Sequence, residues 1–189
     1  MINLINQKET YNKILEEAIK IANRDGIHEI SIKTIAKNLK ISSPAIYKHY
    51  ESLEEIKENI ALSGFEKLLE ITKITLIGKT GENAIIHLSN SYREFAKESK
   101  GEFLATIYRG KNESNELKRI RKEILEIFSM VFESLNVPKS KLLSSIRAYR
   151  SFILGFLILE TQKSFGLPED LDKSFKEGIS IFIRGMRTA

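Results

Sequence analysis

Proline interrupts this 189-residue chain at only three places, Pro44, Pro138 and Pro168. Proline fixes φ and removes a backbone donor, so it breaks helices. Where it is missing, apolar residues recur every three or four positions, the period of an amphipathic helix. Ten glycines add few turn sites, and Lys, Glu, Ile and Leu dominate the composition, so the expected fold is all-α, built largely of long helices.

The rest of the composition narrows the chemistry. With 42% hydrophobic residues, the chain can bury a real core in one or two domains. It contains no cysteine, which excludes disulfides, thiolate metal sites and cysteine nucleophiles. The net charge of +5 permits a polyanionic partner without requiring one. The opening MINLINQKET has no signal-peptide pattern. The longest apolar run, Phe152 to Leu159, is far shorter than the roughly 20 residues of a membrane span. A soluble, cytoplasmic protein without a membrane partner is expected.

Tyr11, Ile14, Leu15, Ala18, Ile19, Ile21 and Ala22 form one apolar face of a first helix, which should stop at Gly26. Ser31 is a good N-cap for a second helix to about Leu39. A third starts near Ser42 or Ser43, with Pro44 in its first turn where a missing N–H costs nothing, and runs to His49 or Tyr50. Longer helices follow, over roughly 53–77, 82–98, 117–135 and 138–164, with a short one over 102–108, and a last one carries Leu171, Phe175, Ile179, Phe182, Ile183 and Met186. The change of texture divides the chain into a small head, residues 1–52, and a larger helical body, residues 53–189.

Between Ser31 and Tyr50 the pattern is that of a helix-turn-helix, in which two helices cross steeply over a short turn. Ala36 supplies the small residue at the crossing, Ile41 the aliphatic in the turn and Ile46 the aliphatic in the second helix. A glycine usually follows that alanine by four residues to allow positive φ; here Lys40 stands there, at a cost of about 1 kcal/mol. The third helix would enter a major groove and present Ser43, Pro44, Ala45, Tyr47, Lys48 and His49. Lys33 and Thr34, at the start of the second helix, sit where a phosphate would meet helix N–H groups and a cation.

The stretch from Ile14 to Ile60, ILEEAIKIANRDGIHEISIKTIAKNLKISSPAIYKHYESLEEIKENI, resembles the N-terminal domain of the tetracycline-repressor (TetR) family. The family pattern is met by Ala18, Gly26, Ser31, Ile35-Ala36, Ile41-Ser42 and Tyr47-Lys48-His49-Tyr50. Two positions depart from it: Lys40 replaces the turn glycine, and Leu53 replaces a lysine that touches a phosphate, leaving Lys57 one turn further on to serve. YREFAKESKGEFLATIY and LGFLILETQKSFGLPEDLDKSF are similar to the C-terminal domain of a subgroup with a Trp-His-Gly signature; Gly155 fits it, whereas Ile153 and Leu154 occupy the first two places. The resemblance implies a ligand-responsive repressor that binds a palindromic double-stranded DNA operator as a homodimer paired through its last two long helices. A TetR-like coactivator that acts through a protein partner is the alternative. Independently, the stretch FILGFLIL is apolar on all sides, which suits a helix packed on more than one neighbour, and Gly155 and Gly178 would allow close approach.

A small-molecule effector would bind in the body, where Phe65, Phe103, Tyr108, Phe128, Tyr149, Phe152 and Phe156 are the aromatic candidates, although such spacing also marks plain core. Glu160, at the end of an apolar stripe, is open to two readings, contact with a cationic ligand or pairing with a nearby Lys or Arg. His28, His49 and His87 have no metal-ligand spacing, and His87 falls on a polar face. The polar loop from Arg109 to Glu116 reads as a solvated connection. No phosphate-cradling glycine loop, G-x-S-x-G or carboxylate–histidine cluster occurs, so neither catalysis nor a cofactor is expected.

Overall fold

A computed structural model describes residues 2–107, 113–168 and 170–188. The described residues contain α-helices, short 3-10 turns and no strand. In chain order the helices are α1 (Ile2–Asp25), α2 (Ile32–Leu39), α3 (Ser43–Ile46), α4 (Leu53–Leu76), α5 (Gly81–Glu98), α6 (Lys100–Ala105), α7 (Asn115–Glu133), α8 (Leu142–Thr161) and α9 (Leu171–Thr188). Tyr108 and the loop residues 109–112 lie outside the described residues. The all-α expectation holds.

The helices form two compact units. The first takes residues 1–67 and 98–118, so it contains α1 to α3, most of α4, and α6; the second takes residues 68–97 and 119–189. In the first unit Ile14, Ala18, Ile21, Ala22, Ile35, Ala36, Ile46, Tyr50, Ile56 and Ile60 make a continuous core, with Ile32, Leu39, Ile41 and Leu53 packed partly against it. Leu53 therefore uses its side chain for packing.

Helix α6 is built into this unit. Gly101 lies so close to α1 that an added Cβ would sit 2.3 Å from the Ala22 carbonyl carbon, and at Gly64 a Cβ would sit 2.5 Å from the Glu102 carbonyl oxygen. Asn23 Oδ1 accepts the Gly101 N–H at 2.7 Å. The fully buried Glu102 carboxylate receives Ser63 Oγ at 2.7 Å and Lys67 Nζ at 2.6 Å, which compensates its desolvation.

The second unit packs around a run of rings. Phe128 meets Tyr92 and Tyr149, Tyr149 meets Phe182, Phe182 meets Phe152, and Phe156 joins Phe152 to Phe175. Gly178 of α9 faces Phe152 of α8, where a Cβ would lie 2.5 Å from the ring, as a close helix approach requires. Gly155 has nothing within 4 Å, so the close approach expected there is not made within the chain.

Three helix ends share one geometry. Lys40, Asn136 and Lys163 all have φ between 54° and 61°. At each, the following N–H bonds back across five residues, from Ile41 to Ala36, Val137 to Phe132 and Ser164 to Leu159, while the residue itself bonds back across three. These are Schellman closures, completed without glycine. Helix α2 thus ends at Leu39 as expected and α8 at Thr161, well before Gly166, whereas α3 ends at Ile46 in a right-handed turn, short of the expected His49 or Tyr50.

Candidate nucleic-acid interface

Local chemistry builds the helix-turn-helix residue by residue. Ser31 is extended and its Oγ accepts the Thr34 N–H at 3.0 Å, the N-cap expected for α2. Its hydroxyl also pairs with Thr34 Oγ1 at 2.7 Å, so Thr34 is engaged in capping. The left-handed Lys40 then turns the chain, and Ser42 leads into α3 with Pro44 in the first turn.

The register of α3 is set from below. Ile46 is fully buried. The Tyr50 ring stacks on Tyr11 of α1 at 4.3 Å, and its hydroxyl donates to the Tyr11 carbonyl oxygen at 3.1 Å. Burial pushes the Tyr50 hydroxyl pKa well up, and its bond to Tyr11 adds to the shift. Tyr11 in turn donates to Asn59 Oδ1 of α4 at 3.0 Å. With Ile46 and Tyr50 turned inward, Pro44, Tyr47 and Lys48 are exposed, and Ser43, Ala45 and His49 are half-buried. The six sequence-predicted residues from Ser43 to His49 therefore all lie outside the core, and Lys33 is exposed on the first turn of α2.

Lys13 is held by Glu9, Arg24 by Asp25 and Lys57 by Glu54. Among the described residues no ion pair engages Lys33, Lys37, Lys40 or Lys48, all of them exposed. The positive charge left uncompensated in the motif is thus gathered on α2, the turn and the segment after α3. Lys57 is a poor stand-in for the phosphate contact that Leu53 cannot make, because its side chain is only 17% exposed and paired. The start of α4 is instead capped by its own acidic residues: Ser52 Oγ accepts the Glu55 N–H at 3.1 Å, and the Glu55 carboxylate accepts the Glu51 N–H at 2.6 Å.

The candidate ligand residues are distributed over both units. Phe65 and Phe103 are buried in the first; Phe128 and Tyr149 are buried, and Phe152 and Phe156 half-buried, in the second. Tyr108 lies outside the described residues. The Tyr149 hydroxyl pairs with Ser89 Oγ at 2.8 Å, and burial pushes its pKa up. Glu160 takes the pairing reading. Arg93 Nε donates to its Oε2 at 2.8 Å while Nη2 bonds Oε1, Lys97 Nζ lies 3.3 Å away, and Arg93 Nη2 also reaches Asp172 at 2.8 Å. The Arg93 guanidinium faces the Phe175 and Phe156 rings, and its hydrogen bonds hold the Glu160 carboxyl below the usual carboxylate range. Sequence reasoning missed a cleft of about 280 Å³ in the second unit, lined by Glu82, Ile86, Asn90, Lys176, Ile179, Ser180, Ile183 and Arg184. Its residues come from α5 and α9, and nothing in either periodicity alone marks them as facing one another.

Comparison with known proteins agrees with this architecture. Residues 14–60 match the family model of bacterial regulatory proteins of the tetR family, and residues 85–182 match that of the tetracyclin repressor-like C-terminal domain. The chain is 24% identical over 177 residues to the HTH-type transcriptional regulator YobS of Bacillus subtilis, covering 94% of this chain and 92% of that one. In fold it is similar to FadR of B. subtilis, solved with stearoyl-CoA, at a TM-score of 0.71 and 14% identity over 93% of this chain and 98% of that one. It is similar also to the TetR-family regulator PfmR of Thermus thermophilus, at a TM-score of 0.67 and 20% identity over 90% and 97%. A C-terminal family model spanning more than half of the chain, together with an N-terminal model centred on the helix-turn-helix, shows that this protein belongs to the tetracycline-repressor family of DNA-binding transcriptional regulators.

Proposed function

We propose that this regulator is a homodimeric repressor that binds a palindromic operator through Lys33, Thr34, Ser43, Pro44, Ala45, Tyr47, Lys48 and His49, and is released by a small molecule bound in the body. The observation that carries the DNA surface is the set of exposed lysines on the helix-turn-helix, Lys33, Lys37, Lys40 and Lys48, which no ion pair engages among the described residues. Counter-ion release from phosphates gives such cations their binding energy.

Pairing through α8 and α9 is supported by what those helices leave uncovered. The stretch Lys139–Thr161 has a mean hydropathy of 1.5 in its most apolar window, long and apolar enough to cross a membrane by length and composition alone, yet only 22% of that window is buried. The short run Phe152 to Leu159 thus understated how apolar this helix is. Leu159 is 44% exposed one turn from Gly155 and Ile181 is 61% exposed one turn from Gly185, and a Cβ added at either glycine would meet nothing within 4 Å. A second copy would cover these faces. That an effector binds in the body is supported by FadR, whose structure of the same fold contains stearoyl-CoA.

The test is a gel shift with the protein's own upstream DNA. Lys48→Ala and Tyr47→Ala are each expected to weaken binding by about tenfold, and Lys48→Ala to lower the salt slope by about 2 for a dimer carrying two copies. Absence of binding by the intact protein at low salt would overturn the operator reading in favour of a coactivator.

A further inference from the structure

The recognition segment lacks the arginine, free carboxamide and carboxylate side chains that make the most specific contacts to guanine, adenine and cytosine. Guanine is read through O6 and N7 by arginine or lysine, adenine by a bidentate asparagine or glutamine, and cytosine N4 by a carboxylate. From Ile27 to Tyr50 there is no arginine and no glutamine, and between Ser42 and His49 there is no acidic residue. The one carboxamide in that stretch, Asn38, lies on α2 and donates to Glu17 at 2.8 Å. Of the cations, Lys33 stands on α2, the helix that crosses the DNA backbone in this motif, and Lys48 stands in the turn beyond the last residue of α3. Base edges are met by the N-terminal residues of the recognition helix, and here those are Ser43, Pro44 and Ala45. Pro44 is exposed and Ala45 half-exposed, so the surface offered to the groove floor is largely apolar. The one base feature that apolar atoms recognise in the major groove is the thymine 5-methyl group.

We propose that Pro44 and Ala45 read thymine methyl groups, so that each operator half-site has an A·T pair, thymine toward α3, at the position beneath them, with Lys33 and Lys48 holding phosphates. This rests on the operator reading above and adds a base class to it.

The test is selection of binding sites by the full-length protein from a randomised duplex library, followed by affinity measurement on the selected site with individual thymines replaced by uracil, which removes the methyl and nothing else. The expected result is A·T at the most constrained position of each half-site. Loss of one buried methyl there should weaken binding by about fourfold, and of one in each half-site by about fifteenfold. Uracil elsewhere should change little, and Pro44→Ala should shrink the penalty. Tight binding to sites with G·C at those positions would overturn the proposal while leaving the operator reading intact, as would A·T sites on which uracil has no effect. Enrichment of no sequence over non-specific DNA would overturn both.

Discussion

At the scale of single residues, three non-glycine positions among the described residues hold left-handed backbone. Lys40 at φ 56° and ψ 38° closes α2 and sets the turn into α3, and Lys163 at φ 54° closes α8 in the same manner. An L residue there costs roughly 1–2 kcal/mol against its Cβ, part of which glycine gives back as unfolded-state entropy. Lys163→Gly and Lys40→Gly are therefore each expected to stabilise by about 1 kcal/mol, raising Tm by about 2–4 °C in a scanning calorimeter. The two should part company on DNA: Lys40→Gly removes an unpaired cation beside α3 and lowers the salt slope of binding, whereas Lys163→Gly leaves it unchanged. Equal DNA affinity and salt slope in both variants would show that Lys40 makes no phosphate contact.

Among elements, α5, α8 and α9 are joined by Arg93. Its guanidinium and the Glu160 carboxylate are both only 10% exposed, while Asp172 is 68% exposed. Removing one member of a covered pair leaves the other charge desolvated, so Arg93→Ala should cost about 3 kcal/mol, the low end for such pairs because Lys97 remains near Glu160. Asp172→Ala, deleting an exposed partner, should cost under about 1 kcal/mol. The sign of the pH effect follows from the direction of the Glu160 shift. Its folded pKa is lowered, chiefly by the Arg93 hydrogen bonds, so its contribution is present above the unfolded carboxylate value of about 4.3 and is lost as pH falls through the folded value. In acid denaturation, Glu160→Gln should lose less stability between neutral pH and pH 3 than the parent protein does. An identical loss in both would show that the pair contributes nothing to the pH dependence.

Across the whole molecule, function as a repressor needs two heads at a fixed separation, about 34–36 Å for successive major grooves on one face of B-DNA. The pairing surface proposed above consists of the exposed Leu159 on α8 and Ile181 on α9. Leu159→Glu combined with Ile181→Glu is expected to give a monomer by light scattering with unchanged helical circular dichroism, and to lower operator affinity by about a hundredfold, because the second head then binds as a separate molecule. A dimer that survives both substitutions would place the pairing surface elsewhere. The coupling of α6 to α1 through Gly101 and Asn23, and to α4 through Gly64 and Glu102, also makes residues 98–118 part of the first unit. A fragment ending at residue 52 would lack α4 and α6 and leave Ala22 without the cover that Gly101 gives it.

The sequence by itself determined the secondary structure, the helix-turn-helix and the outward set on α2 and α3. Periodicity, the Ser31 cap and the place of Pro44 are local, and local chemistry decides them. It also made Lys40 a positive-φ residue, since the turn demands that conformation whatever occupies it. Only the tertiary structure decided which charges are cancelled. By position Lys57 could serve as a spare phosphate anchor, but Glu54 holds it, and of the two readings open for Glu160 the Arg93 guanidinium decides for pairing. Periodicity likewise shows that Phe128, Tyr149 and Phe152 share apolar faces, but not whether another ring or empty space lies opposite. That depends on which helices meet, and the meeting of α5, α8 and α9 is set by contacts between residues more than sixty positions apart, such as Arg93 with Glu160. No local pattern encodes such a pairing, because its free energy exists only once both partners are brought out of water together.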